Sequence, residues 1–170
     1  MPTLITTSRK PDDFGRRLAR ILSHVIPNSK RINRGNANLQ RIFEMALEQG
    51  YDKVIIVRTK FGHTALLDFY TFIGEEFKKE ERMLQLKDVI DHKIYGWKRI
   101  PGGAPASTSR AVEEINPELM NLLEDRFEIT YDRKTSIGIL LDKDENTTYL
   151  TLIDMNTQKP FFFAKVRVVR

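Results

Sequence analysis

Two short segments near the N-terminus carry residue types that bind phosphate. Thr7-Ser8-Arg9-Lys10 lies between a predicted strand and a predicted helix, and Lys30-Arg31 with Arg34-Gly35-Asn36 precedes the next helix. Hydroxyl groups and backbone N–H groups at the start of a helix hold anions, and Arg and Lys side chains add positive charge. If the preceding strands are parallel, both segments open at the same edge of a sheet. Together they predict a site for a phosphate-bearing polyanion.

The predicted site divides by residue type. The cations expected to neutralise phosphates and release counterions are Arg9, Lys10, Lys30, Arg31 and Arg34. The residues expected to orient the bound backbone are Thr7, Ser8, Gly35 and Asn36. The residues expected to extend the basic surface are Arg16 and Arg20, with Lys165, Arg167 and Arg170 added if the last strand lies nearby. Contacts of this kind position a nucleic acid and carry little sequence information, so RNA shape or unpaired bases would supply the specificity.

Positive charge is concentrated at the two ends of the 170-residue chain. Residues 1–34 hold eight basic and two acidic side chains, a net charge of +6, and residues 159–170 hold four basic and no acidic ones, a net charge of +4. Residues 35–158 hold 16 basic and 21 acidic side chains, a net charge of −5. The ends come together if both enter one sheet. Because such a surface attracts polyanions, we expect a nucleic acid as the partner.

The first half of the chain alternates strands and helices. Residues 3–7 and 30–33 predict short strands, and residues 53–59, 65–73 and, more weakly, 84–94 predict longer ones. A helix from about Pro11 shows apolar residues at helical spacing: Phe14, Leu18, Ile21, Leu22 and Val25. A second helix, capped by Asn36 or Asn38, shows the same spacing and ends at Gly50. The charged residues 75–82 are interpreted as a solvated stretch.

The second half predicts one helix followed by strands. Residues 101–107 have the composition of a linker, and a helix is expected over Ser109–Asp125. Pro117 disturbs its middle, so the segment is either kinked there or divided into two shorter helices. Strands are predicted over 127–132, 136–141, 148–154 and 161–169. In the run Phe161-Phe162-Phe163, at least one side chain should face the opposite side of the sheet from the others. The fold class is therefore mixed α/β, with about three helices packed on mixed sheets.

Nothing in the sequence favours catalysis. Cysteine is absent, which excludes thiol catalysis and thiolate metal sites, and the three histidines are scattered without metal-binding spacing. No phosphate loop, dinucleotide-binding fingerprint or nucleophile elbow occurs. We therefore predict neither an enzyme nor a cofactor or metal. No apolar run is long enough to span a membrane, and the N-terminus lacks a secretory signal, so we expect an intracellular protein with no membrane partner.

The N-terminal motifs resemble those of the Brix-domain family. The resemblance rests on Ile5-Thr6-Thr7-Ser8-Arg9-Lys10-Pro11, an Arg-rich amphipathic helix, Ile26-Pro27-Asn28, Ile32-Asn33-Arg34-Gly35, and the helix and Val54-Ile55-Ile56-Val57 strand that follow. It covers residues 3–60. The Gly-Pro-Thr segment of the family has only a degenerate counterpart in Gly62-His63-Thr64. Members outside the archaea carry long extensions, so this chain resembles the compact archaeal form.

This resemblance implies a ribosome-biogenesis factor that binds ribosomal RNA or its precursor, in company with ribosome-assembly proteins. It also implies a single domain over residues 1–170 with related halves, roughly 1–95 and 96–170, similar to the anticodon-binding domain of class II aminoacyl-tRNA synthetases. We predict a non-catalytic factor that assists pre-rRNA folding or processing, in the cytoplasm of an archaeon or in the nucleolus of a eukaryote. The alternative is a protein-interaction module that binds assembly partners without recognising RNA. An RNA-processing enzyme is a further rival without candidate residues.

Overall fold

The computed structural model describes residues 2–60, 63–91, 106–107, 116–129 and 135–170. The helices of the described residues are α1 (Asp13–Val25), α2 (Leu39–Glu48) and α3 (Pro117–Arg126). The strands of the first half are β1 (Thr3–Thr7), β2 (Ser29–Arg31), β3 (Lys53–Lys60), β4 (Thr64–Ile73), β5 (Glu76–Lys79) and β6 (Met83–Ile90). Those of the second half are β7 (Ala106–Ser107), β8 (Ile137–Asp144), β9 (Thr147–Asp154) and β10 (Lys159–Val169). The mixed α/β class is thus confirmed.

All the described strands join one mixed sheet. Their order is β2-β1-β3-β4-β6-β10-β9-β8-β7, and β5 pairs with the outer part of β4. The parallel neighbours are β2 with β1, β1 with β3, and β7 with β8, and the other pairs are antiparallel. Parallel strands therefore lie at both ends of the sheet, and the strands between them are antiparallel. The strands of the first and second halves of the chain meet at the pair β6–β10.

Alternation along the strands divides the sheet into two faces. On the first face, side chains of β1, β3, β4, β6, β8, β9 and β10 form the main core together with the apolar sides of α1 and α3. On the second face, a smaller core forms where α2 packs Ile42 and Ala46 on Leu4, Val54 and Ile56 of β1 and β3. Because successive strand residues point to opposite faces, one run such as Val54–Val57 supplies both cores.

The first two helices follow the sequence prediction closely. The Asp12 side chain accepts a hydrogen bond from the Gly15 N–H at 2.7 Å and caps α1. Asn38, one of the two predicted caps, accepts from the Arg41 N–H at 2.9 Å and starts α2. Gly50 has φ +83°, the left-handed conformation expected just after the end of a helix.

The third helix agrees with a break of the predicted segment at Pro117. Pro117 occupies the first turn of α3, after Asn116, whose side chain accepts a hydrogen bond from the Leu119 N–H at 3.1 Å. Proline is favoured at that position because its missing N–H has no partner in the helix, so α3 begins there, as the alternative of two shorter helices requires. The predicted start of the helix at 109–115 lies outside the described residues.

Two further strand predictions need correction. The strand expected over 127–132 is not formed at residues 127–129, because the Phe127 N–H still bonds to the Leu123 carbonyl and ends the helix; residues 130–134 lie outside the described part. The charged stretch 75–82 contains β5, which the sequence analysis missed. Its Phe77 packs between Phe43 of α2 and Phe72 of β4, with ring centroids 4.7 and 5.4 Å away.

An ion-pair network joins α3 to the strands of the first half. The Glu80 carboxylate accepts from Arg82 at 2.8 Å and from Arg126 at 3.1 Å, and Arg126 also donates to the Thr71 hydroxyl. Burial raises the pKa of Glu80, but the hydrogen bonds from Arg82 and Arg126 outweigh it, so the pKa lies below its ordinary value of 4.5. The ionised carboxylate therefore stabilises the fold.

We expect Glu80→Gln to lower the free energy of unfolding by about 1–3 kcal/mol at pH 7, because two arginines lose a charged acceptor. A carboxyl group whose pKa is lowered in the folded state stabilises the protein at pH values above its pKa in the unfolded state. That stabilisation is lost as the pH falls through the pKa of the folded state. The difference between the two proteins should therefore shrink below about pH 4.5. Urea unfolding at pH 7 and pH 3.5 measures it, with exposed Glu75→Gln as the control. An equal difference at both pH values would contradict the role of the carboxylate.

Candidate nucleic-acid interface

The parallel pairing of β1 with β2 brings the two predicted phosphate-binding segments together. Thr3, Leu4 and Ile5 lie opposite Ser29, Lys30 and Arg31, so both strands end at the same edge of the sheet. The Ile32 N–H extends this pairing by donating to the Ile5 carbonyl at 2.9 Å. The condition that the sequence analysis set for a shared site is met: the β1–α1 and β2–α2 connections are neighbours.

A pocket of about 430 Å³ lies between these two connections. We call it the junction pocket, and its lining residues are Thr7, Lys10, Pro11, Arg16, Arg31, Ile32, Asn33, Arg34, Gly35 and Asn36. Seven of them are predicted site residues. Four are cations and none is a carboxylate, which makes the junction pocket a concave, strongly positive surface. A concave site lined by one sign of charge concentrates ligands of the opposite sign.

Arg34 joins the two connections from within. Its Nη1 donates to the Thr7 carbonyl at 2.9 Å, and its Nε donates to the Ala37 carbonyl at 2.7 Å. The residue is 8% exposed. Of the predicted cations it is therefore the one that the fold itself uses, because it fixes the end of β1 against the turn before α2.

The charge of Arg34 has no carboxylate partner within ion-pair distance among the described residues. Burial lowers the pKa of Arg34, and the nearby positive charge of Arg9 lowers it further. A buried guanidinium remains protonated, so its charge is compensated only by carbonyl dipoles and by whatever anion enters the pocket. An anion in the junction pocket would relieve both costs.

Side-chain caps occupy one backbone N–H group at each helix start. Asp12 accepts from the Gly15 N–H of α1 and from the Thr59 hydroxyl at 3.0 Å, and Asn38 accepts from the Arg41 N–H of α2. The Ser8 N–H donates to the Val57 carbonyl at 2.9 Å. These three N–H groups are therefore not available to hold a phosphate. The lining side chains of the junction pocket supply its positive charge.

The turn at Gly35 keeps the mouth of the junction pocket open. Gly35 has φ +57°, and a Cβ built on it would meet no atom within 4 Å. Glycine is needed there for the left-handed backbone. The free space above it lets a ligand approach the main chain of Gly35 and Asn36.

Four other predicted residues lie around the pocket and not in its lining. Ser8 and the exposed Arg9 belong to the same connection as Lys10. Lys30 is exposed on the edge strand β2. Arg20 is exposed on α1, one helical turn beyond Arg16, whose own guanidinium pairs with exposed Asp13 at 3.2 Å.

Lys165 and Arg167 lie elsewhere. They belong to β10, which three strands separate from β1, or about 19 Å along the sheet at the usual strand spacing. There they line a second groove of about 600 Å³ with Thr64, Gln85, Lys87, Asp88, Asn146, Thr147, Thr148 and Val166. Both basic ends enter one sheet, but they do not form one continuous surface. Arg170 pairs instead with Glu118 of α3.

The sequence analysis did not single out Lys87, which faces Lys165 across β6 and β10. Alternation along residues 84–90 was the available signal, because it places Lys87 on the face opposite the core residues Leu84 and Leu86. Phe61 and Trp97, aromatic residues that could stack on exposed bases, lie outside the described residues. Within the described part, no three His, Asp or Glu side chains come together as a metal site.

Curated proteins with related sequences come from archaea. The chain is 33% identical over 74 residues to a probable Brix domain-containing ribosomal biogenesis protein of Pyrococcus horikoshii, covering 44% of this chain and 33% of the relative. It is 29% identical over 72 residues to the protein so named from Aeropyrum pernix, covering 42% of this chain and 40% of the relative. The matches thus span less than half of the relatives. The resemblance to Brix-domain proteins is confirmed. No protein-family model matches the chain.

Solved structures share the fold over nearly the whole chain. The crystal structure of a probable ribosomal biogenesis protein from Aeropyrum pernix aligns with a TM-score of 0.76 at 19% identity, covering 97% of this chain and 94% of that one. The structure of Mil, an archaeal Imp4-like protein, aligns with a TM-score of 0.69 at 21% identity, covering 98% of both chains. The structural similarity therefore extends well beyond residues 3–60, to which the sequence resemblance is limited. Among the described helices, none is long and apolar enough to cross a membrane.

We expect Arg34→Met to lower the free energy of unfolding by about 1–3 kcal/mol, because the buried Thr7 carbonyl and the partly buried Ala37 carbonyl lose their donor. Arg9→Met removes the same charge from an exposed position and should change it by less than about 0.5 kcal/mol. Urea unfolding at neutral pH compares the two variants. If both variants are nearly as stable as the wild type, Arg34 does not hold the two connections together.

Proposed function

We propose that this chain is a non-catalytic ribosome-biogenesis factor that binds ribosomal RNA or its precursor through the junction pocket. The observation that carries the proposal is the lining of the pocket, with four cations, no carboxylate and one guanidinium buried without an ion pair. The names of the Brix-domain relatives support the biological setting.

In this proposal the lining residues have different tasks. Lys10, Arg16 and Arg31 contact the phosphates and release counterions, which makes binding depend on salt. Arg34 adds its charge from beneath and keeps the two connections in place, so it acts mainly as a positioning residue. Thr7, Gly35 and Asn36 shape the mouth. Because these contacts address the RNA backbone, they hold the RNA in place without reading its sequence.

The proposed role in the cell is to help pre-rRNA fold, pair or be processed while a ribosomal subunit assembles, in company with assembly proteins. A positive pocket suits this role because it lowers the repulsion between phosphate backbones that must come close. We expect the protein to act where ribosomes assemble, which in an archaeal cell is the cytoplasm.

The strand order supports the further proposal that the domain consists of two related halves. In residues 1–95, β1 runs parallel to β3 and is followed by antiparallel β4 and β6. In residues 96–170, β7 runs parallel to β8 and is followed by antiparallel β9 and β10. The two series meet at the antiparallel pair β6–β10, as a two-fold axis would require. A similarity of each half to anticodon-binding domains belongs to this proposal.

Binding to a small-subunit rRNA fragment across a salt series tests the proposed function. For the wild-type protein we expect affinity to fall steeply with salt and to be higher for rRNA than for tRNA or duplex DNA. Lys10→Gln/Arg31→Gln should lower the slope of log K against log salt by about 1.4, or roughly 0.7 for each phosphate of single-stranded RNA that is no longer neutralised. Fluorescence anisotropy at several salt concentrations gives both slopes.

The matched control is Lys78→Gln/Lys159→Gln, which removes two exposed cations outside the junction pocket. It should leave the slope nearly unchanged. If the two double variants lower the slope equally, the protein attracts RNA through its overall charge, and the junction pocket is not the binding site. No binding by the wild-type protein in low salt would exclude direct RNA recognition and favour the protein-interaction module.

A further inference from the structure

We propose that the second face of the sheet, over β6, β10 and β9, binds an unpaired RNA strand by stacking its bases on Tyr149 and Phe163. This surface, which we call the sheet face, is separate from the junction pocket. The proposal rests on the proposed function, because it adds a second contact for the same class of ligand.

The described helices leave the sheet face uncovered. The buried hydrophobic side chains of α1 and α3 all belong to the main core on the first face, and α2 packs over β1, β3 and the adjoining parts of β4 and β5. Along β10, Ala164 and Val166 point into the main core, so Phe163, Lys165 and Arg167 point to the sheet face. Along β9, Leu150 and Leu152 point inward, and Tyr149 and Thr151 point to the sheet face.

An aromatic pair lies at the centre of this surface. The rings of Tyr149 and Phe163 stack with their centroids 5.6 Å apart and their planes 23° from parallel. Both residues are partly exposed, although Phe161 and Phe162 of the same run are buried. Leu140, 49% exposed, lies on neighbouring β8 opposite Thr151. Flat rings on an open sheet are suited to stacking with bases, which is independent of sequence and requires unpaired nucleotides.

Cations border the aromatic pair on one side. Lys165 of β10 lies directly opposite Lys87 of β6 on one side and Tyr149 of β9 on the other. Like charges directly opposite on neighbouring strands repel each other unless an anion lies near them, and the Asp88 carboxylate supplies that anion beside Lys165. In our proposal an RNA phosphate takes the place of this carboxylate, next to the ring of Tyr149.

The partner of Lys165 is one that an RNA phosphate can replace. Its Nζ pairs with Asp88 at 2.9 Å, with both side chains largely in solvent at 44% and 64% exposure. An ion pair as exposed as this contributes little to stability, so exchanging the Asp88 carboxylate for a phosphate costs little. Arg167, exposed beside Gln85, adds a further charge along the same groove.

These observations favour RNA over a protein as the occupant of the sheet face. A stable protein interface has an apolar core depleted of charge, whereas here two lysines face each other beside the aromatic rings. Alternating cations and partly exposed aromatic rings match the two parts of a nucleotide.

Two double variants and a choice of RNA test the proposal. Tyr149→Leu/Phe163→Leu keeps apolar side chains on the sheet but removes the rings. We expect it to weaken binding of an unstructured single-stranded RNA of about 20 nucleotides by roughly 10-fold or more. Binding of a duplex of the same sequence should not change, because its bases are not available. Lys87→Gln/Lys165→Gln should weaken single-stranded RNA binding, with Lys78→Gln/Lys159→Gln as the matched charge control.

Photo-crosslinking with RNA containing 4-thiouridine supplies a readout that does not depend on affinity, and we expect crosslinks on Tyr149 or Phe163. Circular dichroism and thermal unfolding must show that each variant is folded, and Tyr149→Phe, which keeps the ring, should bind as the wild type does. If RNA binding depends on Lys10 and Arg31 but not on the rings, the sheet-face proposal is overturned and the proposed function survives. If the wild type binds no RNA, both fail, and a sheet face that instead captures an assembly protein would show the alternative occupant.

Discussion

The two hydrogen bonds from Arg34 to the carbonyls of Thr7 and Ala37 are the interaction on which the candidate interface depends. They connect the end of β1 to the turn before α2, so the two basic connections cannot move apart independently. A lysine could not make both bonds, because it lacks the planar, forked donor geometry of a guanidinium. The same bonds place a full positive charge below the pocket. In the proposed function Arg34 therefore serves both the fold and the binding site, and an anion bound in the pocket would also stabilise the fold.

The sheet separates packing from binding by strand alternation. Its first face is covered by α1 and α3 and forms a core that runs through both halves of the chain. Its second face is covered by α2, which packs on β1 and β3 and, through Phe43, on Tyr70 of β4 and Phe77 of β5. No described helix packs on this face over β6, β10 and β9. Since each strand must supply both faces, residues such as Lys87 and Tyr149 alternate with buried leucines. The surface chemistry can then change without disturbing the core.

Local patterns predicted the parts of the fold that local physics determines. The spacing of apolar residues in α1 and α2, the Asn38 cap and the run Val54–Val57 all predicted the observed elements, and parallel pairing of β1 with β2 was the stated condition for a shared site. Long-range pairing was not accessible in this way. Nothing near Lys165 shows that β10 pairs with β6 and is separated from β1 by three strands, and β5 was missed because Phe77 becomes informative only when Phe43 lies beside it. The burial of Arg34 could not be predicted locally either, because its sequence neighbours Asn33 and Gly35 are polar or small. It follows from the long-range contacts of the Arg34 side chain.

Two separated surfaces explain more than either would alone. In the proposed function, phosphate contacts in the junction pocket would hold any nucleic acid backbone with little discrimination, whereas aromatic stacking on the sheet face would require unpaired bases. When one RNA occupies both, the second contact forms within the complex at a high effective concentration, and its contribution multiplies that of the first. This gain is available only to RNA that presents a backbone segment and an unpaired stretch about 24 Å apart along the sheet, or five strand spacings. A protein with these two surfaces would therefore select incompletely folded RNA, and it would release that RNA when the unpaired stretch finds its own partner.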